Sequence, residues 1–194
     1  MNTDKVNIAT LLTGINAGFS FRNKVANDPD GDLSVIQMKD LENDYSSINR
    51  RLTRVNSDNI NGRLFLEKGD VLFVAKGSNN FAVEYHLDLT KAIASSAFFV
   101  LRPDRDKIIP AYLAWCINQP PVQQFLKGNM AGTYVPNINK STLEAIMIAL
   151  PPKAIQEKIV HIDRLRKKEQ ALVNQIMEKR RLAIRAALLD IVNN

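Results

Sequence analysis

Cysteine is all but missing from this chain: Cys116 stands alone among 194 residues. An internal disulfide framework is excluded, and the apolar neighbours in AYLAWCIN mark Cys116 as a buried, unreactive thiol suited to a reducing cytosol. Histidine is nearly as scarce. His86 and His161 have no second His or Cys at metal-ligand spacing, so both read as surface side chains and no metal is expected. No stretch approaches the roughly 18 consecutive apolar residues that a membrane span needs, and the N-terminus lacks the basic and apolar regions of a secretion signal. A cytoplasmic chain without membrane contact is expected. Fixed-period repeats and low-complexity tracts are absent too. With 45% hydrophobic and 24% charged residues, the sequence should fold around a real core.

Signatures of catalysis are equally sparse. There is no GxSxG, no P-loop and no GxGxxG, so no catalytic residue and no cofactor is expected. Gln119–Val122 (QPPV) superficially resembles the polar-Pro-Pro-aromatic motif of DNA amino-methyltransferases, but Val122 cannot stack on a flipped base. Asp30 with Gln37-Met38-Lys39 imitates a metal-dependent nuclease signature, yet glutamine is a poor metal ligand and the DPDGD stretch is more simply a turn. The same stretch lacks the spacing of a calcium loop.

Proline and glycine are missing altogether beyond Pro152. Before that point they punctuate the chain. NDPDGD, NSDNING and KGSNN are turn-rich, and between them Leu33–Met38, Asp70–Ala75 and Ser96–Arg102 have the length and β-branched or aromatic content of strands. Pro110 suits a first helical turn, Pro120-Pro121 breaks that helix, and Gly128 closes the second piece. Ser141 and Glu144 match a capping box, and IMIAL reads as a last strand ending at Pro151. The unpunctuated remainder predicts a helix over 155–192, roughly 55–60 Å long. Along it Ile162, Leu165, Leu172, Ile176, Ala183 and Ala186 occupy the two seam positions of a seven-residue repeat that Glu169 and Lys179 interrupt. Such a stripe needs cover, and a second copy of the chain is the simplest source.

Charge of one sign also concentrates in the tail. Residues 1–152 carry 16 Lys and Arg against 15 Asp and Glu, whereas residues 153–194 carry 10 against 5. A polyanionic partner such as nucleic acid is one reading and a solvated helix face the other. The tail cations Arg164, Arg166, Lys167, Lys168, Lys179, Arg180, Arg181 and Arg185 fit either DNA or acidic patches on a protein.

Taken together, GFSF (18–21), GDLSVIQMKDL, LEKGDVLFVAKG (66–77), IASSAFFVLRPD (93–104), IIPAYLAWCINQPPVQQFL, AGTYVPNINKSTLEAIMIALPP and IQEKIV (155–160) resemble the specificity subunit of type I restriction-modification systems over nearly the whole chain. The usual chain of that family has two target-recognition domains, each followed by a long helix, and the two helices lie antiparallel as a spacer. Only one such unit is present here, which suggests a half-sized subunit or a truncated reading frame. The resemblance implies an α/β recognition domain over 1–152 with a mixed sheet and short helices, and a coiled-coil arm over 153–194. It implies a non-catalytic subunit that reads half of a split site in double-stranded DNA, pairs with a second copy, and docks methyltransferase subunits and the restriction subunit. The alternative is a coiled-coil tethering module without DNA reading.

Base-reading candidates are Ser20, Arg22, Asn23 and Lys24 after the first glycine turn, then Lys76, Ser78, Asn79 and Asn80, then Thr133, Tyr134 and Lys140. Arg50, Arg51 and Arg54 are the densest arginine cluster and suit phosphates. Inserting four residues near Gln170 is expected to lengthen the arm by about one turn and shift half-site spacing.

Overall fold

The computed structural model describes residues 4–42, 47–58, 60–77, 79–130 and 136–193. Its strands in chain order are β1 (Lys5–Asn7), β2 (Leu12–Ala17), β3 (Leu33–Ile36), β4 (Leu41–Glu42), β5 (Ser47–Ile48), β6 (Thr53–Val55), β7 (Val71–Val74), β8 (Ala82–Glu84), β9 (Ala92–Ala94), β10 (Phe98–Pro103) and β11 (Met147–Ala149). The helices are α1 (Pro110–Ile117), α2 (Pro120–Gly128), α3 (Lys140–Glu144) and α4 (Lys153–Asn193). The chain divides into two compact units, Met1–Glu157 and Lys158–Asn194.

The first unit is mixed α/β. An antiparallel sheet runs β2-β10-β7-β8, and a three-stranded sheet runs β6-β3-β9, with β3 antiparallel to β6 and parallel to β9. β7 reads VLFV and is buried throughout, as a strand covered on both faces must be. Alternation sends Leu72 and Val74 to a core cluster with Phe98, Val100, Tyr85 and Ile36. Val71 and Phe73 point the other way, where α1 packs on β7 and β8. A smaller cluster of Leu33, Val35 and Ile93 sits under the three-stranded sheet.

Polar side chains fasten these layers. Asn118, which caps the end of α1, grips β8 in both directions: its carbonyl accepts from the Ala82 N–H and its amide donates to the Ala82 carbonyl, each at 2.8 Å. The Tyr112 hydroxyl donates to the Ala149 carbonyl at 2.9 Å, tying α1 to β11, which pairs with β1. Asp70 is 1% exposed, and Arg102 neutralises it through two hydrogen bonds of 2.9 Å while also reaching Glu67 at 2.7 Å. Burial keeps Cys116 unreactive and pushes its thiol up to about 11.

Several sequence expectations shift by a few residues, each for a visible reason. The strand expected over Leu33–Met38 stops at Ile36, because the Asp40 carboxylate accepts the Gln37 N–H at 2.8 Å and turns Met38–Asp40 into a short 3-10 helix. The strand expected from Ser96 starts at Phe98, since Ser95–Ala97 form the turn that links β9 to β10. The capping residue of α3 is Asn139, whose side chain accepts from the Thr142 N–H at 2.8 Å, instead of Ser141. Glu144 pairs with Lys140 one turn earlier. Pro110, Pro120 and Gly128 bound α1 and α2 as expected. Helix α4 runs unbroken for 41 residues, and its first turn is held in the first unit by Gln156, which accepts from the Ile109 N–H (3.0 Å) and donates to the Pro151 carbonyl (2.9 Å).

Candidate nucleic-acid interface

Close backbone approach builds one edge of the first unit. Gly18 donates to the Phe98 carbonyl (2.9 Å) and Phe19 to the Ala94 carbonyl (2.8 Å), which lays the loop after β2 against the β9–β10 turn. Only glycine fits there: a Cβ on Gly18 would stand 2.1 Å from the Ser95 carbonyl oxygen. Phe19 and Phe21 pack edge to face at 4.7 Å over the Leu33, Val35 and Ile93 cluster. With both rings turned inward as anchors, Ser20, Arg22, Asn23 and Lys24 are left exposed.

The same edge gathers two further segments. Lys76 forms an antiparallel bridge with Asn137, Gly77 donates to the Pro136 carbonyl (2.8 Å), and Ile138 donates to the Ala75 carbonyl (2.9 Å). Gly77 adopts a positive φ of 97°, open to glycine at little cost. The Lys76 ammonium reaches the Ser96 hydroxyl at 3.3 Å. Loops separated by more than a hundred residues therefore meet around Ser95, Ser96, Lys76 and Asn137. Of these only Lys76 was anticipated; Ser95, Ser96 and Asn137 carry no signal beyond their place in turn-rich sequence.

Asn79 is exposed, whereas Asn80 must be removed from the base-reading candidates. Asn80 is 1% exposed, and its amide nitrogen donates to the carbonyls of Val74 (2.9 Å) and Ala75 (3.4 Å), closing the turn between β7 and β8. In sequence it is indistinguishable from its neighbour. Lys140 is exposed at the start of α3, 3.7 Å from Glu144. Ser78, Thr133 and Tyr134 lie outside the described residues.

Arg50, Arg51 and Arg54 converge on an open cleft of about 420 Å³ that Ser34, Leu52, Leu89 and Lys91 also line. Among the described residues, the one acid in its wall is already satisfied. Asp32 accepts from the Lys91 ammonium and the Ser57 hydroxyl, which hold its carboxyl well below the usual carboxylate range. Among its described residues the three guanidinium groups thus leave the cleft with a net positive charge, suited to phosphate oxygens. Lys39, the lysine of the nuclease-like pattern, donates to the Thr53 hydroxyl at 3.0 Å. Among the described residues no group of three or more His, Cys, Asp or Glu could hold a metal ion, and no helix is long and apolar enough to cross a membrane.

On α4 every candidate seam residue is exposed, Ile162 at 65% and Ile176 at 57% of their surface.

Comparison with known proteins bears on these surfaces. The profile of the type I restriction modification DNA specificity domain matches residues 7–179. No curated protein matches. Among solved structures, the S subunit of the type I restriction-modification system from M. genitalium aligns with a TM-score of 0.57 at 17% identity, over 84% of this chain and 38% of that one. The HsdS subunit from Thermoanaerobacter tengcongensis aligns with a TM-score of 0.62 at 20% identity, over 92% and 44%. A chain from a structural study of complex assembly and conformational transition of the type I restriction-modification system aligns equally well, at 20% identity over 87% and 39%. This chain therefore spans about two fifths of the length of each solved relative. At these identities the structures establish a shared fold, and the profile, which covers most of the sequence, establishes the lineage: the chain belongs to the family of type I restriction modification DNA specificity domains.

Proposed function

We propose that this chain is the DNA-reading subunit of a type I restriction-modification complex and is itself non-catalytic. Residues 1–152 form the target-recognition domain and read one half of a bipartite site. Residues 153–194 form an arm that pairs with a second copy as a coiled coil and offers its outer face to methyltransferase subunits. The restriction subunit joins through that assembly.

The observation that carries the reading is the meeting of sequence-distant polar loops at one sheet edge, in a chain of a DNA specificity family. Base edges are read by side chains on such loops, while phosphate contacts fix register without sequence preference. Ser20, Arg22, Asn23, Lys24, Lys76 and Asn79 take the first role in this reading. Arg50, Arg51 and Arg54 take the second. The exposed stripe on α4 supports the arm, because an apolar face of this length stays out of water only when another surface covers it.

The test is co-purification with the methyltransferase subunit of a type I system, followed by mapping of methylated adenines. A single split sequence with two half-sites is expected. Complex formation with methylation at no defined sequence would leave a tethering arm without a reader.

A further inference from the structure

The pairing of α4 proposed above leaves open the register in which two copies align, and the two residues that interrupt the apolar seam decide it. Glu169 and Lys179 stand at seam positions, between Leu165 and Leu172 and between Ile176 and Ala183. Both are exposed. Other charges on the helix already have partners: Asp163 holds Arg166 at 2.9 Å and Lys167 at 2.8 Å, and Glu178 holds Arg181 at 2.7 Å. Neither Glu169 nor Lys179 makes an ion pair within its own chain among the described residues.

In a parallel pair each seam residue meets its own counterpart. Glu169 would face the partner's Glu169, and Lys179 the partner's Lys179, two like-charge contacts inside an apolar seam. In an antiparallel pair the two seam positions alternate across the interface, and one alignment matches every layer. Ile162 meets the partner's Ala186, Leu165 the partner's Ala183, Glu169 the partner's Lys179, and Leu172 the partner's Ile176. Large side chains then face small ones at both ends, which seam packing favours. A slip of one heptad in either direction sets Glu169 against Leu172 or Ala186 and Lys179 against Ile162 or Ile176, leaving all four charges of the pair without partners.

We propose that two copies of α4, running in opposite directions as the family resemblance already implies, are held in this single register by two reciprocal Glu169–Lys179 ion pairs about a two-fold axis at Asn174. A polar residue at a seam position lowers stability and in return fixes alignment. Val173, exposed in the single chain, meets the partner's Val173 at the axis. Arg166 and Arg180 approach across the flank of the seam, and Asp163 offsets this by neutralising Arg166 on its own helix. From the axis to Lys158 is a run of 16 residues, so the two helix roots stand roughly 50 Å apart.

The test uses the full chain in sedimentation equilibrium, with far-UV circular dichroism to verify that each variant keeps its helix. Wild type is expected to dimerise. Glu169→Lys and Lys179→Glu should each weaken the dimer by about tenfold or more, and the double exchange should restore it. Oxidative cross-linking in a Cys116→Ser background gives an independent readout of alignment. Ile162→Cys and Ala186→Cys should each fail to cross-link alone and should link when mixed. A monomeric wild type would overturn self-pairing and the register together. A dimer whose single exchanges leave affinity unchanged, or in which Ile162→Cys links to itself, would overturn the register while self-pairing stands.

Discussion

Two exposed side chains can do different work on the same ligand, and Arg51 and Asn79 separate the possibilities. Arg51 lines a cleft in which the one acid among the described residues is held by Lys91 and Ser57, which leaves its guanidinium available to a passing phosphate. Asn79 follows the bridged pair Lys76 and Asn137, on a turn closed from within by Asn80. Arg51→Ala is expected to weaken binding of the assembled complex to all duplexes about equally and to lower the salt slope by roughly 1. Asn79→Ala is expected to change the preferred base at one position, with discrimination falling by about 1–3 kcal/mol. Fluorescence anisotropy against a duplex library at two salt concentrations measures both. Equal behaviour of the two variants would remove the division between phosphate and base contacts.

At the scale of elements, the candidate recognition edge depends on a backbone contact that no side chain can replace. Gly18 lies so close to Ser95 that the β2 loop and the β9–β10 turn must separate to admit a methyl group. Gly18→Ala should therefore destabilise the fold by about 1–3 kcal/mol in urea denaturation, and exposed Ser20, Arg22, Asn23 and Lys24 should lose the anchor that the Phe19–Ser95 bridge gives them. Unchanged stability would mean that the loop is not seated as described. This contact also shows why the sequence revealed some elements and hid others. Elements framed by their own punctuation were legible: α1 and α2 between Pro110 and Gly128, the buried run of β7, and α4 after Pro152. The two- and three-residue strands β1, β4, β5, β6, β8 and β9 were not, because their pairing partners lie elsewhere in the chain and three residues show no periodicity; β2 was missed as well, its Gly14 and Asn16 being residue types depleted in strands. The candidate interface was half legible for the same reason. Polar loops announce themselves by composition, but which loop residues turn inward, as Asn80 does, and which distant turns join them, as Ser95 and Ser96 do, is settled by packing alone.

In the proposed dimer, the spacing of the half-sites is a question of length. An α-helix rises about 1.5 Å per residue and B-DNA about 3.4 Å per base pair, so changes in the arm translate into base pairs. An insertion that respects the seam must be a whole heptad and must lie on the two-fold axis, or the layers on either side fall out of step. Seven residues added after Asn174 keep Glu169 opposite the partner's Lys179 and Leu172 opposite the partner's Ile176, while the helix roots move apart by about 10 Å. The preferred gap between half-sites should then grow by about three base pairs, read from the methylated adenines of the reconstituted complex. Four residues inserted near Gln170 lengthen the helix by about 6 Å but place Glu169 out of register with the partner's Lys179, so they should weaken the dimer as well as shift the gap. A gap that stays constant when the heptad is added, in a complex that still assembles and methylates, would mean that DNA spacing is set by the methyltransferase and not by this helix.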